Sequence, residues 1–386
     1  MIPYGRQHIT AEDIVAVCNT LKSDWLTQGP EVSKFEYLFS EYCSAEYVVA
    51  VNSATSALHI ACLALGLTER DWLWTSPNTF VASANCGRLC GAQIDFVDID
   101  PVSYNMCSVK LEEKLKLAAE SGRLPKIVIP VHFAGQSCDM LAISKLSKKY
   151  GFKIIEDASH AVGSKYLDQP VGRAKYSDVV VFSLHPVKII TSAEGGIALT
   201  NNPEIAQKMQ LYRSHGVSRP DHLVERGEPW LYEQSCLGLN YRITDILCSL
   251  GISQMKRLDD YVNKRHEVAA IYNQAFSSNS NIKCPKQLGH SRSSYHLYPI
   301  QVHAKSRKEI FNELRSEGVG VNVHYIPVHT QPYYQQFGFC EGDFPNAELY
   351  YSQAISIPLY PQLESKDQQF IIDKLNKLTT NSGSPQ

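Results

Sequence analysis

Apolar residues in this chain fall into short runs separated by longer amphipathic stretches. The runs are 47–51, 72–74, 94–99, 126–131, 152–156, 178–182 and 196–200. Each is too short for a helix, and consecutive apolar positions such as Val179, Val180 and Val181 suit strands buried on both faces. Strands alternating with helix-length segments predict an α/β fold, a mostly parallel sheet covered by helices. Ahead of the first run, Thr10 is placed to cap a helix over 11–22, with Glu12 and Asp13 in its first turn and Ile14, Val17, Cys18 and Leu21 on one apolar face. The stretch 24–30 ends that helix. A polar, amphipathic segment from 246 to 276 predicts one or two helices and leads into the loop 277–281. Beyond it, 295–302 and 319–325 read as strands around a helix at 307–317. The chain therefore divides into a large domain, 1–245, and a smaller α+β domain, 246–386. Residues 379–386 are polar and read as frayed.

Composition narrows the function by exclusion. The 386 residues carry 37 Lys+Arg against 39 Asp+Glu, a formal charge of −2, which leaves no electrostatic case for a nucleic-acid or membrane-surface binder. No apolar run approaches the roughly 20 residues of a membrane span, and the opening Met-Ile-Pro-Tyr-Gly-Arg lacks a secretory apolar stretch, so the expected location is cytoplasmic. The 11 cysteines are scattered from Cys18 to Cys340 without a CxxC pair, which predicts reduced thiols with neither a disulfide framework nor a metal site.

Three segments carry chemistry. In Val48 to Leu58 a strand runs through Asn52-Ser53-Ala54-Thr55-Ser56 into a helix, and a helix N-terminus edged with hydroxyls suits a phosphate; an ordinary helix cap is the simpler alternative. In Lys153 to His160 a buried strand ends in Glu156 and Asp157, where ligands of open parallel sheets sit. A carboxylate there could hold a metal, cap a helix or keep a heterocyclic nitrogen protonated. In Asp178 to Gly196 another strand leads to Lys188 among apolar residues, and desolvation gives an amine the lowered pKa that Schiff-base chemistry needs. Trp72 and Trp74 read as core, and His185 as a structural histidine. Together, a phosphate cup, an acidic strand end and a buried lysine are the parts that pyridoxal 5′-phosphate requires.

The order of motifs goes further. Asn52 to Leu58, Pro77 to Ala82, Pro130 to Gly135, Glu156 to Ala161, Phe182 to Lys188, Ala193 to Gly196, Arg213 to Gly216 and Gly238 to Arg242 resemble the DegT/DnrJ/EryC1/StrS sugar aminotransferases over nearly the whole chain. Within that family, Ile2 to Gln7, Asp24 to Pro30 and His324 to Pro327 resemble the subgroup that aminates C4 of a UDP-linked 4-keto-6-deoxy sugar in pseudaminic acid biosynthesis. Another nucleotide keto sugar, UDP- or dTDP-linked, stands as the alternative substrate. The resemblance implies the type I aminotransferase fold, with a seven-stranded sheet, a small C-terminal domain and a homodimer with shared sites. It implies Lys188 as the covalent anchor and proton carrier, Asp157 on the pyridine nitrogen, Phe80 stacked on one face of the ring and His160 near the other. Ala54, Thr55, Ser56 and Ser183 would bind the phosphate, and Asn240 would reach the phosphate of the other subunit. Tyr4, Asp24, Trp25, Leu26, Thr27, His324, Tyr325, Ile326 and Pro327 would meet the nucleotide sugar. Glutamate is the amino donor that the family implies, and no metal is called for.

Overall fold

In the computed structural model, which describes residues 1–381, seven strands form the central sheet. They are β1 (Tyr47–Val51), β2 (Trp72–Thr75), β3 (Gln93–Phe96), β4 (Ile127–Ile129), β5 (Lys153–Asp157), β6 (Val179–Ser183) and β7 (Gly196–Thr200). Their spatial order is β1-β7-β6-β5-β4-β2-β3. β7 alone runs against its neighbours, β1 and β6, and the remaining pairs are parallel. The apolar runs of the sequence mark all seven. Two are trimmed: Ile99 and Val131 keep isolated bridges, to Met106 and Asp157, in place of full strand pairing. Trp74 is buried, and Trp72 packs against the same core.

This topology gathers one edge of the sheet. β1, β5 and β6 end there, β7 begins there, and the chain leaving β1 turns at Asn52 and Ser53 into the helix Ala54–Ala64 (α3). Gly196 is required at that edge, because a Cβ on it would lie 2.3 Å from the Ser53 carbonyl oxygen and 2.6 Å from the Ala54 nitrogen. Both are backbone atoms that cannot give way.

Two cores cover the sheet. On one, the helix Pro30–Cys43 (α2, following α1, Ala11–Leu21) brings Phe39 against Phe182 with Phe35 packed on Phe39; on the other, α3 and the helix Ala82–Leu89 (α4) pack with segments from as far on as Ala354. A third core lies around the antiparallel pair Tyr298–Gln301 and Ala354–Ile357. The expected domain boundary at 246 falls inside the helix Asp245–Met255, whose Cys248 and Ile252 belong to the first core. The change of core comes within the next helix, Leu258–Phe276: Tyr261 and Val262 pack on the first and Val268 to Phe276 on the third.

Three further expectations change. Residues 319–325 form no strand; Val319 and Asn322 make single bridges to Ile2 and Ser356, since the N-terminal segment runs alongside Gly318 and Gly320 and takes up their backbone groups. Thr379 is buried in the helix Ser365–Asn381, where it accepts from Asn279, so the fraying predicted from 379 does not begin there; residues 382–386 lie outside the described residues. The third change is the face of α1. Its buried residues are Asp13 and Thr20, while Ile14, Val15 and Leu21 are each more than half exposed. No helix among the described residues is long and apolar enough to cross a membrane.

Asp13 fixes α1 through polar contacts. Its carboxylate accepts from the Thr10 amide (2.9 Å), Gln254 Nε2 (2.7 Å) and Arg257 Nη2 (2.6 and 2.8 Å). Burial raises its pKa, but the donors, Ser253, Thr10 and Arg257, outweigh it and hold the carboxyl below its ordinary value. A folded pKa below the unfolded one gives stability that is present above the unfolded value and lost as pH falls through the folded one. Asp13→Ala should cost roughly 2 to 3 kcal/mol at neutral pH, on the scale of hydrogen bonds to a charged group. Urea unfolding checks it: the gap to the parent protein should close on acidification, and a pH-independent gap would refute the ionic origin.

Candidate active site

At the edge where β1, β5 and β6 end lies a cavity of about 830 Å³. One wall is the first turn of α3. Ser53 caps the helix, its Oγ accepting from the Ser56 amide (3.1 Å), and Ser56 Oγ donates to Asn52 Oδ1 (2.6 Å). With those groups engaged, the amides of Ala54 and Thr55 have no intrahelical partner, as at any helix start, and the exposed Thr55 hydroxyl has no partner among the described residues. Ser53 thus makes the ordinary cap, while Ala54, Thr55 and Ser56 line the cavity as a cup that could hold an anion, with Ser183 from the end of β6 also on its wall.

The floor is Asp157, the last residue of β5. The strand's alternation separates its two terminal carboxylates: Glu156 Oε2 meets His132 Nε2 (2.7 Å), and Asp157 faces the cavity. Asp157 is 5% exposed and in no ion pair among the described residues, which makes its hydrogen bonds decisive. Oδ1 accepts from the Ser159 amide (3.1 Å) and Oδ2 from Ser83 Oγ (2.6 Å). Since Ser83 donates to Asp157, the hydroxyl of Thr79, 2.8 Å away, donates to Ser83. A relay from Thr79 through Ser83 therefore holds one carboxylate oxygen from α4.

Lys188 reaches the cavity from the loop after β6. Burial pushes its ammonium down to about 8, with Asp157 acting weakly in the opposite sense. The facing wall is Tyr4, Asn322, Val323, His324 and Tyr325, with Phe80 at its rim. His160 Nδ1 accepts from the Ala134 amide (3.3 Å), and its Nε2 is 3.0 Å from Tyr325 Oη. Burial, and then the charges of Lys188 and His324, drive its pKa well below the usual imidazole range. His160 is therefore neutral, with its proton on Nε2 and donated to Tyr325. His324 is pushed down to about 3, again by burial and then by Lys188.

The cavity thus gathers Tyr4, Ala54, Thr55, Ser56, Phe80, Asp157, His160, Ser183, Lys188, His324 and Tyr325 of the residues singled out in the sequence. It does not gather Asp24, Trp25, Leu26, Thr27, Asn240, Ile326 or Pro327, which lie outside the cavity of their own chain. His185, expected to be structural, is exposed and lines the mouth beside Glu194. Thr79 and Ser83 gave no signal in the sequence: a serine in the first turn of a helix is unremarkable until the helix is docked on Asp157.

Comparison with known proteins agrees with this geometry. The model of the DegT/DnrJ/EryC1/StrS aminotransferase family matches residues 7–376. The chain is 39% identical over 378 residues to a UDP-4-amino-4,6-dideoxy-N-acetyl-beta-L-altrosamine transaminase of Campylobacter jejuni, covering 97% of this chain and 96% of that one. Helicobacter pylori PseC, an aminotransferase of pseudaminic acid biosynthesis, superposes with a TM-score of 0.90 at 32% identity over 98% of this chain and 99% of PseC. The sugar aminotransferase Spr1654 of Streptococcus pneumoniae, in its PLP form, superposes with a TM-score of 0.89 at 28% identity, covering 99% of this chain and 100% of that one. From the lysine, the strand-end aspartate and the anion cup to the near-complete match in sequence and fold, the chain belongs to the DegT/DnrJ/EryC1/StrS family and is a pyridoxal-phosphate-dependent sugar aminotransferase.

Proposed function

We propose that this enzyme moves the amino group of L-glutamate to C4 of UDP-2-acetamido-2,6-dideoxy-β-L-arabino-hexos-4-ulose, giving UDP-4-amino-4,6-dideoxy-N-acetyl-β-L-altrosamine, in pseudaminic acid biosynthesis. The observation that carries this reading is the similarity, over nearly the full length of both chains, to the Campylobacter transaminase of that name. The wall of Tyr4, Asn322, His324 and Tyr325 supports it, offering hydroxyl, amide and ring groups of the kind that meet a sugar.

The cavity fits the cofactor group by group. The amides and hydroxyls of Ala54, Thr55, Ser56 and Ser183 suit its phosphate, Asp157 a protonated ring nitrogen, and Lys188 its carbonyl carbon. Phe80, 60% exposed despite its ring, is placed to cover one face of a flat heterocycle. Bound there, pyridoxal phosphate supplies the electron sink that amino transfer needs. The chain's own work is proton transfer. Lys188 Nζ, with a pKa lowered to about 8, removes the α-proton of glutamate in one half-reaction and delivers a proton to sugar C4 in the other. Asp157, kept in place by Ser83 and Ser159, holds positive charge at the ring nitrogen in both halves.

We infer further that the working unit is a homodimer with shared sites. Among the described residues Lys188 is the one ammonium on the cavity wall, whereas a nucleotide sugar adds a diphosphate to the phosphate of the cofactor. Ile14, Val15, Leu21 and Trp25 expose more than half of their surface near the N-terminus, an apolar face suited to a second copy. In such a dimer Asn240 and the segment 24–27, which miss their own chain's cavity, would serve the neighbour's.

Three experiments test these readings. Mass spectrometry of products from a panel of 4-keto UDP and dTDP sugars with glutamate should show amination of the β-L-arabino UDP sugar in preference to the others; preference for a UDP-bacillosamine precursor or a dTDP sugar would overturn the substrate. Ser83→Ala should lower kcat by about 10- to 100-fold, the scale of a lost hydrogen bond to a charge, with Ser83→Thr restoring most of it. In the same variant, ¹⁵N NMR of ring-labelled cofactor should show reduced protonation of its nitrogen; unchanged protonation would reduce Ser83 to a packing residue. Lastly, mixed dimers of Lys188→Ala with a severely impaired Asn240 variant should regain activity that neither parent has, because one intact site is reassembled. No gain in verified heterodimers would place Asn240 with its own chain.

A further inference from the structure

Tyr325 is fixed at its backbone, its ring and its hydroxyl. Its amide donates to Asn78 Oδ1 (3.3 Å), and Asn78 Nδ2 donates to the Tyr104 carbonyl (3.2 Å), so a side chain from the loop between β2 and α4 holds this part of the wall. The ring meets that of Phe133 edge-on, with centres 6.3 Å apart, and lies within 25° of parallel to His160. His160 is backed in turn by His296, with ring centres 4.3 Å apart.

The hydroxyl has a direction. The Ala134 amide can only donate, which makes His160 Nδ1 an acceptor and puts the imidazole proton on Nε2, 3.0 Å from Tyr325 Oη. The phenol oxygen therefore accepts from His160, and its own hydrogen has no acceptor among the described residues. The groups around it are His160, Asp157 and Tyr4, with the rings of Phe80 and Phe133. Burial, and then the charge of Asp157, keeps it a phenol, while His160 beside it feels the charge of Lys188. This donor thus stands on the cavity within reach of the fields of both the aspartate and the lysine.

The acceptor follows from the covalent structure of pyridoxal phosphate, and so rests on the reading of the cavity given above. The cofactor carries its phosphate arm on C5 and a hydroxyl on C3, one on each side of the carbon that bears its carbonyl. With the arm in the cup of α3, the ring nitrogen on Asp157 and the carbonyl carbon at Lys188, the C3 oxygen turns away from the cup, to the wall that holds Tyr325. We propose that the Tyr325 hydroxyl, aimed by His160, is the hydrogen-bond donor to the C3 oxygen of the cofactor. Tyr4, Asn322 and His324 of the same wall are then left to the sugar. A donor to a phenolate favours the more negative form of the ring system, and so lowers the pKa of the nitrogen that joins the cofactor to Lys188.

The test strips the cofactor from the holoenzyme and replaces it with pyridoxal phosphate or with 3-deoxypyridoxal 5′-phosphate, which lacks the C3 oxygen. By equilibrium dialysis, Tyr325→Phe should weaken binding of pyridoxal phosphate by about 10- to 100-fold, the scale of a hydrogen bond to a charged group, and leave binding of the 3-deoxy compound unchanged. In a pH titration of the reconstituted enzyme, the midpoint at which the visible band fades on alkalinisation should rise by about one unit in the variant, a tenfold change in proton affinity. An equal loss with both compounds, or an unmoved midpoint, would overturn the assignment and return Tyr325 to the sugar or to packing. A parent enzyme without a visible band, or a Lys188→Ala variant that keeps it, would overturn the reading of the cavity itself, and this inference with it.

Discussion

The carboxylate of Asp157 is the constraint around which this enzyme is arranged. A charge placed at the end of a central strand loses its hydration, at an effective cost of several kcal/mol, unless donors and a countercharge replace the water. The fold supplies the donors itself. Ser159 follows in the chain, and Ser83 comes from α4, docked on the same sheet with Thr79 behind it. What these neutral groups leave unmet is positive charge, which under the proposed function a protonated pyridine nitrogen would bring into the cavity. Asp157 and the cofactor would then complete each other, and Lys188 stands close enough to feel the same carboxylate.

The sheet was legible because its strands are apolar on both faces, a pattern that a helix-covered parallel sheet produces and little else does. α1 misled for the converse reason. Its apolar stripe predicts a buried face, yet the side turned to the protein is Asp13, and no pattern of hydrophobicity announces a helix held by a carboxylate shared among Thr10, Gln254 and Arg257. The stretch 319–325 misled because alternation is blind to pairing: the segment alternates, but Asn322, His324 and Tyr325 serve the cavity in place of a strand ladder.

Site residues divided along the same line. Lys188, Asp157 and the hydroxyls at the start of α3 sit at positions where local sequence already says strand end, loop or helix start, so their place at one edge of the sheet was readable. Ser83 and Thr79 acquire meaning only when α4 is docked, and Glu194 and His185 only when the loop after β6 is closed over the edge of the sheet. Asn240 and the segment 24–27 stay outside their own chain's cavity, and in the dimer proposed above their place would take one level more, a second chain. The distance of each residue from legibility is the number of packing events needed before its partner is in place.

The same logic explains why several histidines crowd around Lys188. His160, His296 and His324 lie close to Lys188, and burial is the largest cause of the low pKa of each. The positive charge of Lys188 adds to burial in all three cases, so the imidazoles stay neutral at the pH where the lysine titrates. A neutral imidazole is a fixed donor and acceptor rather than a competing base: His160 takes the Ala134 amide on Nδ1 and must therefore give its Nε2 proton to Tyr325. Tyr325 Oη, already accepting, has its own hydrogen left to offer towards the cavity that it lines. Burial thus converts a group usually regarded as the acid or base of an active site into a device that points a tyrosine hydroxyl into the cavity. Near neutral pH, Lys188 alone of these four groups is placed to exchange a proton.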